Sequence, residues 1–314
     1  MVGLLINRLL HAVAVLFGVV SVTFLLLHLA GDPLAGLIPP GAAPEVERQI
    51  RTAYGLDRPL PEQYFDFVSR AMRGDFGDSW RQGRPALGAV LERLPATLWL
   101  TAVATSLAVA VGTVLGMSSA ARPGSAWDIM ARSTALLGQA VPAFWLGTML
   151  ILLFAVAFRW LPSSGLQGPG GVILPALALA AYPTATLTRL LRASMIETLS
   201  ADYIRTARAK GLSRSRILTG HALRNAVLPA LAFTGLQVGF LLGGAVIVEG
   251  VFAYPGIGGL ALDGVAARDI PLVEAFVWVV AVMILVVNWL TGTLAVVLDP
   301  RLREGGLALR SAAS

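Results

Sequence analysis

Apolar residues fall in six long blocks separated by polar stretches, and block length decides the class of protein. Leu9–Ala30, Leu98–Ala121, Ser133–Phe158, Ala226–Val248 and Ala275–Leu298 each run for at least 22 positions without Asp, Glu, Lys or Arg. A helix crossing a hydrocarbon core of about 30 Å needs roughly 20 apolar residues, so these five are predicted transmembrane helices. Val172–Thr188 is shorter and holds Pro175 and Pro183. It is predicted as a sixth crossing whose helix continues past Arg189 and Arg192, with their charged heads reaching the interface. The first block exceeds the apolar core of about 7–15 residues in a cleavable signal and ends in no small-x-small site, so it reads as a retained anchor. The polar stretch 31–95 is expected to hold short amphipathic helices.

Charge placement orients these blocks. Residues 189–224 carry seven Arg and one Lys against Glu197 and Asp202, the 122–132 loop has Arg122 and Arg132 against Asp128, and the tail adds Arg301, Arg303 and Arg310. Gly31–Pro95 balances eight Arg with nine acids, and 159–171 and 249–274 are poor in positive charge. The positive-inside rule then puts both termini, 122–132 and 189–224 in the cytoplasm. The expected architecture is an all-α integral membrane protein with six transmembrane helices. Residues 1–30 form an anchor and 31–96 an external loop. Residues 97–298 form a five-helix core containing a cytoplasmic loop at 200–228, and 299–314 a cytoplasmic tail.

Composition sharpens the class. Hydrophobic residues make up 56% and charged residues 13% of the chain, and the mean hydropathy is +0.74; soluble domains carry about 25% charge. The net charge of +6 sits between the apolar blocks and not on one basic face, which argues against nucleic acid. Without cysteine there is no disulfide, thiolate nucleophile or cysteine metal site, and the redox compartment is left open. His11, His28 and His221 are too scattered for a local metal motif and read as packing or interfacial residues. The one lysine, Lys210, follows Ala209 and precedes Gly211, so there is no phosphate-cradling P-loop, and any ATP must be hydrolysed by another subunit. Fixed charge is missing from five of the spans. Gln139, Gln237, Asn288 and His28 are the polar exceptions, and each either touches solute or hydrogen-bonds between helices.

The segment Ser200–Pro229 reads as a hairpin. Ser200 is placed to cap a helix with Asp202 in its first turn, Gly211 fits a left-handed stop followed by Leu212, and Ser213 is placed to cap a second helix over Arg214–Asn225. A basic hairpin of this kind either lies on anionic lipid or docks on a partner.

DYIRTARAKGL followed by HALRNAVLP resembles the cytoplasmic-loop signature of the dipeptide, oligopeptide and nickel permease family of ABC importers. Arg205-Thr206-Ala207 stands at the E-A-A positions and Gly211 at the glycine. Val227-Leu228-Pro229 matches the end, with Ala226 in place of isoleucine. The missing glutamate and longer spacing depart from the sugar-importer form and agree with the peptide and nickel branch. Gly31-Asp32-Pro33, YGLDRPLPEQY at 54–64, GDFGDSW at 74–80, RLPATLWL at 93–100, VPAFWLG at 141–147, EGVFAYPGIG at 249–258 and Asp299-Pro300-Arg301 extend the resemblance along nearly the whole chain.

The resemblance implies a type I ABC importer permease fold in the bacterial inner membrane, and a non-catalytic chain with no cofactor of its own. It further implies a second related permease, two cytoplasmic ATPase subunits that bind ATP and magnesium, and an external solute-binding protein. The solute would be a peptide, with glutathione or a nickel chelate as alternatives. Residues 201–217 would be the coupling helix in an ATPase groove. Tyr203, Ile204 and Ala207 would pack on the partner, Arg205 and Arg208 would make polar contacts, and Gly211 would set the angle; Thr206, Lys210 and Ser213 complete the set. EGVFAYPGIG would lie near the external mouth.

At that mouth Glu249, Phe252, Tyr254, Pro255 and Gly256 form a helix-breaking cluster. Phe252 and Tyr254 either close the pore or anchor at the interface, and anchoring is favoured. Gly235, Gly239 and Gly243 repeat every four residues, for packing within the chain, for a subunit interface or for a moving pathway helix. The 31–95 stretch either docks the binding protein or packs as a lid. Two other classes stay in view: a secondary transporter or channel, and a membrane-embedded enzyme, for which no paired acids, H-E-x-x-H or nucleophile elbow is present.

Overall fold

The computed structural model describes residues 2–29, 43–53, 57–165 and 168–298. The segments Gly31-Asp32-Pro33, Tyr54-Gly55-Leu56 and Asp299-Pro300-Arg301, the 299–314 tail and the His28 side chain lie outside the described residues. The described elements are helical, with one isolated antiparallel bridge between Asp78 and Pro85. In chain order they are α1 (Val2–Leu29), α2 (Pro44–Ala53), α3 (Leu60–Met72), α4 (Ala86–Ala121), α5 (Ala126–Ala140), α6 (Ala143–Leu150), α7 (Ile173–Ser200), α8 (Asp202–Ala209), α9 (Arg214–Arg216), α10 (Leu223–Val251), α11 (Ile257–Ala266) and α12 (Ile270–Leu298). Four helical stretches, Ala86–Ala121, Gly170–Ser200, Arg214–Val251 and Ile270–Thr291, are long and apolar enough to cross a membrane. A fifth is added if α5 and α6 count as one broken span, and the apolar part of α1, Leu10–Leu26, is shorter.

Two expected elements differ. The third block is not one straight helix: α5 and α6, with its π-wound continuation Ile151–Ala157, meet at 107°. Pro142 has no N–H and holds Val141 in extended backbone (φ −84°, ψ 123°), so the helix stops at Ala140 and restarts beyond the proline. The second arm of the loop hairpin is likewise no separate helix. From Arg214 it runs through π winding at Ile217–Ala222 into α10, and Pro229 lies inside that helix. By contrast, α7 runs through Pro183 and past Arg192, as expected.

The chain divides into two compact units, residues 1–97 with 255–286, and 98–254 with 287–314. In the first, Phe24 of α1 stacks on Phe67 of α3 at 5.7 Å, and Tyr64 meets Phe24 edge-on at 5.4 Å. The Tyr64 and Ser21 hydroxyls are hydrogen-bonded at 2.7 Å. Phe76, Val90, Ile257, Leu260, Leu272 and Val279 extend this core. The GDFGDSW turn is fastened to the start of α12 by the fully buried Asp269. Its carboxylate accepts from the Ser79 hydroxyl and from the backbone N–H groups of Trp80 and Arg81, both at 3.2 Å.

In the second unit α7 is the most deeply enclosed of the apolar helices. Its neighbours approach through glycine. A β-carbon on Gly112 of α4 would sit 2.8 Å from Leu187 Cβ, and one on Gly116 would sit 2.9 Å from the Thr188 carbonyl oxygen. A β-carbon on Gly138 of α5 would lie 3.2 Å from Ala185 Cβ. Close backbone approach of this kind brings helices together where water supplies no hydrophobic drive.

Candidate functional site

The hairpin at 200–216 is built by local backbone chemistry. Ala201 is extended (φ −69°, ψ 150°) and separates α7 from α8. It is Ala201 that occupies the cap position of α8. Ser200 ends α7 and donates to the Glu197 carbonyl at 2.6 Å, so the expected Ser200 cap is not formed. At the other end Gly211 adopts φ +74°; its N–H bonds the Arg208 carbonyl at 2.9 Å and the Leu212 N–H bonds the Ala207 carbonyl at 3.3 Å. This pair of bonds closes a helix on a left-handed residue, the conformation that only glycine enters without strain. Ser213 stands at the cap of α9 with its carbonyl accepting from the Ile217 N–H at 3.0 Å, but its side chain makes no capping bond.

α8 packs against the end of α7 and the 217–222 segment. Ile204 and Ala207 are buried in the chain itself. Their expected packing on a partner is therefore corrected: the small amphipathic helix spends its apolar side on its own protein. Tyr203 is exposed, and its hydroxyl accepts from the Asn225 amide at 2.8 Å. Arg205, Thr206, Arg208, Lys210 and Gly211 face outward. The Arg205–Asp202 pair at 3.3 Å is solvent-exposed on both sides and contributes little.

Among α4, α5 and α7 lies a polar node with no counterpart in the sequence expectations. Asp128 of α5 is fully buried and receives both Nε and Nη2 of Arg192, at 2.6 and 2.8 Å. It also accepts from the Ser119 hydroxyl and from the Gly124 N–H at 2.9 Å. Arg192 thus commits two of its guanidinium nitrogens to Asp128. Arg189 donates to Gln139, whose amide donates to Thr186 at 2.7 Å, so Gln139 bonds between helices. Arg214 donates to the carbonyl of Ala121, the last residue of α4.

The breaker cluster interrupts the helix as expected, between Val251 and Ile257. Its aromatics are not interfacial anchors: Phe252 and Tyr254 are both buried. The Phe252 ring seats against Gly147, where a β-carbon would lie 2.9 Å from Cε2, and its carbonyl accepts from the Gly165 N–H at 2.9 Å. VPAFWLG and EGVFAYPGIG therefore meet. Burial raises the Tyr254 phenol above its usual value and the Glu249 carboxylate pushes the same way, so Tyr254 stays a neutral hydroxyl. Ala253 closes α10 at φ +45°, with the Tyr254 N–H on the Glu249 carbonyl at 2.8 Å. A left-handed alanine is strained by about 1–2 kcal/mol. Ala253→Gly is expected to raise the apparent melting midpoint in detergent by relieving about 1 kcal/mol of that strain; an unchanged or lower midpoint counts against it. Pro255 is half-buried and Gly256 caps α11.

The glycine stripe divides. Gly235 is buried against α12, where a β-carbon at 235 would meet Thr291 Cβ at 2.7 Å; Gly239 is buried, and Gly243 is exposed with open space before it. Gln237 is half-buried and Asn288 exposed.

A model of the binding-protein-dependent transport system inner membrane component family matches residues 112–304, and one for the N-terminal part of such membrane components matches residues 1–101. The glutathione transport system permease protein GsiC of Escherichia coli (strain K12) is 38% identical over 304 residues, covering 96% of this chain and 99% of that one. The protein of the same name in Shigella dysenteriae serotype 1 gives the same figures. Among solved structures, a chain of the MetNI methionine ABC transporter in an inward-facing conformation superposes with a TM-score of 0.55 at 15% identity, over 67% of this chain and 96% of that chain. This last likeness is one of fold.

Proposed function

Because this chain belongs to the family of binding-protein-dependent transport system inner membrane components, and so is a non-catalytic permease component of an ABC importer, we propose that it moves a small peptide-class solute into the cytoplasm, with glutathione the first to test. In this reading α1 and the broken α5–α6 pair join the four long apolar stretches as six crossings, with both termini cytoplasmic. A second permease completes the pathway, an external binding protein delivers the solute, and two ATPase subunits bind ATP and magnesium. The α8 hairpin couples this chain to one of them. The 38% identity to a glutathione permease along the whole chain supports the solute class.

One observation carries the coupling role. α8 is a two-turn helix whose apolar side is spent inward, leaving Tyr203, Arg205, Arg208 and Lys210 displayed on a short stub. Such a stub suits a groove in a separate motor, whose closure then tilts the attached spans. Its shape depends on Gly211. A β-carbon there meets no atom within 4 Å, so replacement acts through the backbone angle and not through a clash. Gly211→Val, β-branched and poorly tolerated at positive φ, is expected to lose co-purification with the ATPases and to lose uptake. Gly211→Asn, which tolerates the left-handed region, should retain both. Normal capture and import by the valine variant would falsify the coupling role. Separately, cells expressing the complete importer should accumulate labelled glutathione in competition with short peptides. Absence of that uptake sinks the solute class and leaves the coupling role standing.

A further inference from the structure

The polar node and the hairpin are mechanically continuous. Asp128 ties α5 to α7 through Arg192 and to α4 through Ser119, and the Gly124 N–H fastens the intervening turn to the same carboxylate. Ser125 caps α5, accepting from the Asp128 N–H at 3.2 Å, so the backbone that presents the carboxylate is itself held. Arg214, opening the second arm of the hairpin, closes the circuit on the Ala121 carbonyl, where the negative end of the α4 dipole favours a cation. α4, α5, α7 and the hairpin are thus joined around one fully buried carboxylate and two arginines.

Without these bonds the hairpin has an obvious place to give. Ala201 is the single non-helical residue between α7 and α8, so a load on α8 would be absorbed by rotation there. A buried ion pair is weak evidence for stability, since well-packed apolar residues often do as well, and its better-attested use is to specify one arrangement. Removing one partner is costly because the other charge is left buried.

We infer that Asp128, Arg192 and Arg214 are positioning residues that make the α8 hairpin and the α4–α5 turn one rigid body, so that a push on α8 reaches α4 and α5 as well as α7 and α10. The inference rests on α8 being the ATPase-coupling element. These residues act through the hairpin and touch neither nucleotide nor solute.

The absence of cysteine allows a direct test. Spin labels on Arg122→Cys and Ala209→Cys, both at exposed positions, report the distance from the α4–α5 turn to α8 in the full importer complex, in lipid nanodiscs with and without ATP and vanadate. The parent should give one narrow distance, the same in both states. Arg192→Gln and Arg214→Ala should each lose that constancy, with the distance splitting or shifting only when nucleotide is bound, while ATP hydrolysis persists. A parent distance that moves with nucleotide overturns the rigid-body claim. So do variants with unchanged distances, or variants that broaden equally with and without nucleotide, which marks a merely structural role. If Arg192→Gln yields no folded complex, Arg214→Ala, at an exposed contact, decides alone. A parent chain that captures no ATPase sinks the coupling reading itself, and this inference with it, whereas normal capture with unchanged variant distances sinks only the joint.

Discussion

Gly116→Val should leave little protein in the membrane and turn what remains polydisperse in detergent. The reason is the depth of contact between α4 and α7. A β-carbon at 116 would lie 2.9 Å from the Thr188 carbonyl oxygen and 3.0 Å from Leu191 Cβ, and one at 112 would lie 2.8 Å from Leu187 Cβ. These are backbone or backbone-adjacent atoms, so no side-chain rotation relieves the overlap and the whole helix must move away. Overpacking of this kind costs about 3 kcal/mol, and in lipid it also forfeits the dispersion contacts that hold the pair. Gly116→Ala should show a smaller loss of the same kind. Gly243→Ala, whose new β-carbon meets nothing within 4 Å, should behave like the parent. Size-exclusion profiles of the three variants decide the matter: a monodisperse valine variant at parental yield means that α4 does not seat on α7 in this way.

Asp269→Ala should free the GDFGDSW turn. The buried carboxylate is the acceptor for the Ser79 hydroxyl and for the Trp80 and Arg81 N–H groups, and one of its oxygens also accepts from the Leu272 N–H at 3.3 Å, at the start of α12. Alanine strands these donors and removes the cap together, at a cost of about 3–5 kcal/mol. The readout is local. Arg81 and Arg84 are exposed, and the turn that carries them is held by bonds from the Ser79 N–H to the Arg84 carbonyl at 2.9 Å and from the Ala86 N–H to the Gly77 carbonyl at 3.0 Å. Limited trypsinolysis should be slow after Arg81 in the parent and much faster in the variant, whereas the Arg84–Pro85 bond resists trypsin in both. Asn, which keeps one acceptor oxygen, should fall between. Equal cleavage rates in parent and alanine variant would show that Asp269 does not hold the turn.

Much of the hairpin was readable in advance at its glycine. A lone Gly211 following an amphipathic turn specifies a left-handed stop, because that preference belongs to the residue itself. The node was not readable. Asp128 and Arg192 are 64 positions apart, and each alone reads as an ordinary interfacial charge. The close approach of α4 to α7 is written in the sequence as Gly112-Thr-Val-Leu-Gly116, a shorter pattern than the stripe at 235, 239 and 243, one member of which faces open space. Spacing marks a helix face that permits close approach, but it does not name the neighbour.

What the amino-acid order settled unaided was the class: helices of membrane-spanning length, apolar blocks poor in charge, and a hairpin turned at glycine. Each of these follows from short-range terms, the transfer of a residue to lipid and the hydrogen bonds of its nearest neighbours. Tertiary structure alone decided which way α8 turned its apolar side, that Phe252 would seat on Gly147, and that Ser79 would meet Asp269, 190 positions away. Those outcomes depend on which buried group finds a partner once the helices are packed, and that is a property of their arrangement and not of any one segment.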